Sequence, residues 1–178
     1  MPRETLLSAP DLQTKVERLA LEIFESCDRS RELVLVGVHS RGVPLSVRVG
    51  EILKGRGLEI VLGSVDISLY RDDLDEIGKA PKLVGSHLPF NLDGAHVVLF
   101  DDVLFTGRTI KAAIDVVTDY GRPERIELAA LIDRGNRELP IQADYLGELI
   151  ETERSDKIQV TVTEIDGEDG VYYLSGNN

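Results

Sequence analysis

The sequence predicts an α/β fold, a doubly wound and mostly parallel sheet flanked by helices, on three observations. Apolar runs of strand length alternate with stretches of helical periodicity. The runs at residues 33–38 and 97–100 are almost wholly apolar, as expected of central parallel strands covered on both faces. Polar loops follow both runs directly, at the C-terminal strand ends where open sheets of this class place their sites.

Taken in order, Ser8, Ala9, Pro10 and Asp11 read as a helix start, with a capping hydroxyl, an early proline and an acid placed as in a capping box. Leu12, Val16, Leu19, Ala20, Ile23, Phe24 and Cys27 then recur on one face, so this helix should pack on the sheet. Residues 33–38 form a strand, His39-Ser40-Arg41-Gly42 a turn and residues 44–53 a helix. Another strand pattern lies within 59–69. Residues 71–94 break the rhythm with Gly78, Pro81, Gly85, Pro89 and Gly94, which predicts a mobile β arm or hairpin able to close over a site. After the strand at 97–100 and a turn, Ile110, Ala113, Ile114 and Val117 mark an amphipathic helix, and residues 125–132 complete the series. Residues 133–174 lack helical periodicity and are expected to form a small hood subdomain, with strands at 157–164 and 171–174. There is no internal repeat, low-complexity stretch or interdomain linker, so residues 1–178 read as a single domain.

Composition narrows the function classes. A chain of 178 residues with 42% hydrophobic and 29% charged residues is ordinary for a soluble domain with its own core. No apolar run reaches membrane-spanning length and the N-terminus lacks a signal-peptide pattern, so a cytoplasmic location with no membrane partner is expected. Cys27 is the one cysteine and reads as core packing. His39, His87 and His96 show no zinc-ligand spacing, and His39, without a paired acid nearby in sequence, is not assigned an acid or base role. A net charge of −12 argues against general attraction to nucleic acid, while leaving room for a local basic patch.

The most informative segment is Asp101-Asp102-Val103-Leu104-Phe105-Thr106-Gly107-Arg108-Thr109, set between a buried strand and a helix. Gly107 lets backbone approach a ligand, and Thr106 and Thr109 add hydroxyls beside the unpaired amides of a helix N-terminus, a combination suited to a phosphate dianion. Asp101 and Asp102 can accept hydrogen bonds from ribose hydroxyls and help hold a hydrated magnesium ion. No Walker A lysine or Gly-x-Gly-x-x-Gly fingerprint is present. The segment closely resembles the phosphoribosyl-diphosphate (PRPP) motif of the type I phosphoribosyltransferases. Beside it, Ser40 and Arg41 combine hydroxyl, guanidinium and backbone amides at a strand end, and the corresponding loop of those enzymes binds the diphosphate leaving group.

Three further blocks narrow the resemblance: residues 66–74 around Tyr70 and Arg71, Gly121-Arg122-Pro123, and residues 131–141 around Asp133-Arg134-Gly135. Together with the PRPP motif they are similar in content and order to PyrR, the pyrimidine-operon attenuator family of bifunctional uracil phosphoribosyltransferases and messenger-RNA-binding regulators. The resemblance implies conversion of uracil and PRPP to UMP and diphosphate with Mg2+, in a homodimer or homotetramer. It assigns the 5-phosphate and ribose to residues 101–109, diphosphate to Ser40, Arg41 and Arg71, and uracil to Arg134 and the backbone around Ile158. Asp101, Asp102 and Arg41 are the implied catalytic residues. No direct protein ligand to the metal is assigned.

The chain departs from the family pattern where nucleic acid is concerned. Phe105 stands where the family usually has Tyr, and Asn136 where it usually has His. Glu148-Leu149 replaces Lys-Asn, Glu151 replaces Pro, and the first helix offers only Lys15 and Arg18 against Asp11, Glu17, Glu22 and Glu25, without the arginine pair usual near Gln13-Thr14. Uracil transfer is expected to persist and RNA attenuation to be weakened. The alternatives are an RNA regulator using the site as a nucleotide sensor, and transfer to a different base.

Overall fold

A computed structural model of the chain describes residues 3–67, 86–89 and 91–174. Its elements are β1 (Arg3–Leu7), α1 (Ala9–Ser26), β2 (Leu33–Val38), α2 (Gly42–Gly55), β3 (Ile60–Val65), β4 (His96–Leu104), α3 (Arg108–Asp119), β5 (Arg125–Asp133), β6 (Tyr145–Leu149), β7 (Lys157–Thr161), α4 (Thr163–Asp166) and β8 (Gly170–Leu174). A five-stranded sheet runs β3-β2-β4-β5-β6 with every pairing parallel. The chain leaves β2 toward one edge and returns to β4 on its other side, so the strand order reverses between β2 and β4, and the crevice at their C-terminal ends is the natural ligand position.

Local chemistry explains the elements. Ser8 caps α1 in a reciprocal box, its hydroxyl accepting from the Asp11 N–H while the Asp11 carboxylate accepts from the Ser8 N–H at 3.0 Å. Leu12, Val16, Leu19, Ala20 and Ile23 then bury against Leu33 and Leu35 of β2 and Leu45, Val49 and Leu53 of α2. The alternate strand residues Val34, Val36, Val97 and Leu99 point to the other face, where Ile110, Ala113, Val116 and Val117 of α3 cover them. Every residue of β2 is buried, in keeping with a central parallel strand. Cys27 is half-buried against the α1 and α2 side of the core. At the far end of the sheet, Glu127 accepts hydrogen bonds from Tyr145 (2.7 Å) and pairs with His96 (2.6 Å), and Ser26 meets the Tyr145 hydroxyl at 2.5 Å. Burial there pushes the Tyr145 hydroxyl up to about 12.

A second, antiparallel sheet of order β1-β8-β7 forms the hood. Val160, Val162 and Val171 continue the core of the α1 and α2 side, so the hood is packed onto the main body. Its composition differs from the expected span 133–174. Residues 145–149 belong to the main sheet as its edge strand, paired with β5 from Ala129↔Tyr145 to Asp133↔Leu149, and residues 3–7 join the hood through β8. The expected strand at 157–164 stops at Thr161, because Val162 gives way to the short helix α4. The strand expected at 97–100 continues to Leu104, since its ladder with β5 runs on through Asp101↔Ala130 and Leu104↔Asp133. Of the expected arm, residues 71–85 and Phe90, including Arg71, lie outside the described residues, as do residues 68–69 of the strand expected within 59–69. Its other end is packed: His87 exchanges both backbone hydrogen bonds with Ser64 at 2.8 Å, and Leu92 is fully buried.

Candidate active site

The site forms where β2 and β4 end side by side. Gly42 opens α2 so close to β4 that an added Cβ would lie 2.2 Å from the Phe100 carbonyl oxygen. Only glycine allows that approach, and it brings the 39–41 loop alongside the two aspartates. The His39–Ser40 peptide is cis, the His39 N–H donates to the Val65 carbonyl at 2.9 Å, and Ser40 is exposed. His39 Nε2 is buried with no hydrogen-bond partner among the described residues.

Asp101 and Asp102 lie within β4, short of its end. Asp101 is 5% exposed and its Oδ1 accepts the Asp102 N–H at 3.0 Å, while Asp102 borders an open cavity. Past Phe105 the chain turns through Thr106 and Gly107, whose φ of +91° only glycine adopts readily, and enters α3 at Arg108. The first amides of a helix lack intrahelical acceptors, so the Thr106-Gly107-Arg108-Thr109 turn presents N–H groups to an anion. Thr106 Oγ1 takes the Arg108 N–H at 3.3 Å. The Arg108 side chain turns outward to Glu138 at 2.6 Å.

The segment after β5 braces this turn. The Thr106 carbonyl accepts the N–H groups of Glu138 (2.9 Å) and Leu139 (3.1 Å). Arg137 donates to the Phe105 carbonyl at 2.7 Å, the Ile141 carbonyl at 2.6 Å and the Asp133 carboxylate at 2.5 Å. Glu138 also takes Arg154, and these two guanidiniums hold its carboxyl below the usual range. Arg137 and Glu138 are supports of the turn that sequence reasoning left without a role; they fall inside the 131–141 block, as do the Arg137 partners Asp133 and Ile141, but Phe105, Arg108 and Arg154 lie outside it.

Arg134 is 5% exposed, with its guanidinium carbon 4.0 Å from the centre of the Phe105 ring. It donates to Thr152 Oγ1 at 3.0 Å and to the Glu153 carbonyl at 2.8 Å, and burial draws its pKa down from the usual value. Stacking uses the ring that Phe105 keeps, so the missing hydroxyl does not disturb it. Arg41 is held by Asp166 of α4 through two hydrogen bonds, Nε at 3.0 Å and Nη2 at 2.7 Å. That contact raises the Arg41 pKa and lowers that of Asp166, with Asp102 adding to the rise. Asp166 is a third residue that sequence reasoning missed, since it sits in an acidic run that reads as a solvated turn.

One open cavity of about 360 Å³ joins Arg41, Asp102, Arg134 and Ile158 with Lys157, Gln159 and Val160 of β7 and Leu174 of β8, while Ser40, Asp101 and residues 103–109 do not line it. Among the described residues no cluster of three or more metal-ligating side chains occurs. Two adjacent carboxylates still suit Mg2+, which keeps its waters and shares phosphate oxygens of its substrate rather than needing a full protein cage.

The chain matches the phosphoribosyl transferase domain family over residues 2–166. The Bifunctional protein PyrR of Thermus thermophilus is 49% identical to it over 167 residues, 93% of this chain and 92% of the relative. That of Chloroflexus aurantiacus is 48% identical over 173 residues, 97% of this chain and 95% of the relative. The chain belongs to the PyrR family. Solved hypoxanthine phosphoribosyltransferases carry the same fold. The Staphylococcus aureus enzyme superposes with a TM-score of 0.73 at 19% identity, covering 97% of this chain and 91% of that one. A hypoxanthine-guanine enzyme of Bacillus anthracis gives 0.73 at 21%, covering 96% and 97%.

At two of the positions where this chain departs from the PyrR pattern, Asn136 and Glu148, the side chains are engaged within the molecule. Asn136, at φ +61°, donates to the Thr152 carbonyl at 2.9 Å. Glu148 pairs with Lys15 at 2.5 Å, and Arg18 donates to the Leu146 carbonyl at 2.7 Å and to the Gly147 carbonyl. Among the described residues, no helix is long and apolar enough to cross a membrane.

Proposed function

We propose that this chain transfers a phosphoribosyl group from PRPP to uracil, giving UMP and diphosphate. The observation that carries the reading is the cavity that brings together Arg41 of the loop after β2, Asp102 of β4, Arg134, and Ile158 of β7, with β4 running on into the Thr106–Thr109 turn. In the reaction the bond from the anomeric carbon to the diphosphate oxygen breaks and a bond from that carbon to the uracil ring nitrogen forms. The proton from that nitrogen leaves to solvent or diphosphate. Positive charge develops on the ribose as the old bond lengthens, so catalysis is positioning plus electrostatic stabilisation. The turn holds the 5-phosphate through backbone amides. Asp101 and Asp102 accept from the ribose hydroxyls and face the developing charge. Ser40 and Arg41 receive the departing diphosphate, with Arg71 as a closing contact. Arg134 and the Ile158 backbone read the two carbonyls and the N–H of uracil. Mg2+ bound with PRPP near Asp101 and Asp102 would neutralise diphosphate charge.

Incubating the protein with PRPP, Mg2+ and each nucleobase in turn, and separating the nucleotides by chromatography, tests this. UMP from uracil is the expected product; a purine nucleotide in its place, or no nucleotide at all, overturns the reading.

The family's second activity, binding of pyrimidine-operon mRNA, is proposed to be weak here. Lys15 and Arg18 are occupied by Glu148 and by β6 carbonyls, and the chain carries −12 overall. Tight UMP-stimulated retention of the leader transcript in a filter-binding assay would refute this.

A further inference from the structure

We propose that Asp166 is a positioning residue for PRPP: its carboxylate holds one edge of the Arg41 guanidinium so that the remaining donors are aimed at the diphosphate. The inference rests on the PRPP-dependent reading above and adds a residue that the PRPP motif does not contain. Arg41 has five N–H donors, and the two used on Asp166 come from the Nε and Nη2 edge, leaving the Nη1 side for a ligand. Arg41 also borders the cavity shared with Asp102 and β7, so the residue meets the hood on one side and the site on the other. Asp166 is itself fixed: its Oδ2 accepts the Val162 N–H at 2.9 Å and its own N–H donates to the Val162 carbonyl at 2.7 Å.

Anchoring the hood does not require this pair. Arg48 of α2 already ties the same loop, donating to Glu164 at 2.8 and 2.6 Å and to Asp169 at 2.9 and 2.8 Å. Two arginines of one loop and helix thus meet neighbouring carboxylates, yet only Arg41 borders the cavity at the strand ends. A long unbraced arginine would sample many rotamers, and a bidentate carboxylate reduces that freedom before the ligand arrives.

The test is direct binding of PRPP, inorganic diphosphate and UMP to the wild type and to Asp166→Asn, Asp166→Glu and Asp169→Asn, with a melting curve for each. UMP carries the 5-phosphate and base but no diphosphate, so it reports the rest of the site. The expected result for Asp166→Asn is a loss of about tenfold for PRPP and diphosphate with UMP unchanged. Asp166→Glu should recover part of the loss, and Asp169→Asn should leave the ratio of PRPP to UMP affinity as in the wild type. Equal weakening of UMP and PRPP would make Asp166 a structural tie, and unchanged or tighter PRPP binding would make it a spectator or a competitor for Arg41; each overturns the inference alone. Wild-type protein that binds no PRPP overturns the proposed function, and this inference with it.

Discussion

Gly107 holds a left-handed backbone at φ +91°, and a Cβ there would lie 3.3 Å from Ile141 Cβ and 3.4 Å from Leu139 Cβ. Gly107→Ala is therefore expected to lose about 1–2 kcal/mol from the backbone alone. It should weaken PRPP binding more than that, because the displaced amides are those of the proposed phosphate cradle. Denaturant unfolding and PRPP titration on the same variant separate the two effects, and equal PRPP affinity in both proteins would remove the turn from the site. The residues of this turn were legible in the sequence because their partners are contiguous with them: carboxylates, hydroxyls and glycine fall within one strand, turn and helix start. Asp166 and the hold of Arg137 on the Phe105 carbonyl were not, since each spans a long stretch of chain, although Arg137 also meets Asp133 and Ile141 four residues away on either side. Arg137 reaches the Phe105 carbonyl, and Asp166 reaches Arg41, 125 positions away. No local spacing encodes such pairs.

Among the elements, the loop from Thr163 to Asp169 is tied to α2 by Arg48, whose two carboxylate partners both titrate below their ordinary values because they accept its hydrogen bonds. A carboxylate with a lowered pKa in the folded chain gives stability that is complete above its unfolded value and is lost as pH falls through the folded one. Wild type should thus melt above Arg48→Met at neutral pH, with the gap closing as pH drops below the ordinary 4.5 of Glu164 and 3.8 of Asp169. Melting curves across that range check it, and a pH-independent gap would mean that Arg48 contributes packing alone. The central strands were readable for a plain reason: β2 is buried on both faces and so is a run of apolar residues. The edge strands were not. β6 buries Tyr145 and Gly147 but leaves Leu149 55% exposed, and β1 has no buried residue, being defined by backbone pairing with β8 rather than by side-chain pattern.

At the scale of the whole molecule, the charge of −12 sets the long-range field, and the few cations on the α1 and β6 face are spent inside the fold. Affinity for RNA follows the number of phosphates neutralised and falls steeply with salt when that number is large. The wild type should show weak binding with a shallow salt dependence. Glu148→Lys, which releases Lys15 and adds a cation, should raise leader-transcript affinity on the order of tenfold at low salt and steepen the slope. Filter binding over a salt series measures both, and an unchanged slope would locate RNA contacts elsewhere.

The hood has a consequence for how the molecule is made. β8 is the middle strand of its sheet, pairing with β1 from Arg3↔Leu174 and with β7 from Lys157↔Leu174. A chain emerging from the ribosome can complete the Thr106–Thr109 turn once β5 and the bracing segment through Ile141 are free, but β1 must wait, unpaired, until β8 has cleared the tunnel. The two halves of the site therefore mature at different times during synthesis. A nascent chain stalled before Gly170 would have the proposed sugar-phosphate cradle but not the hood proposed to cover the base.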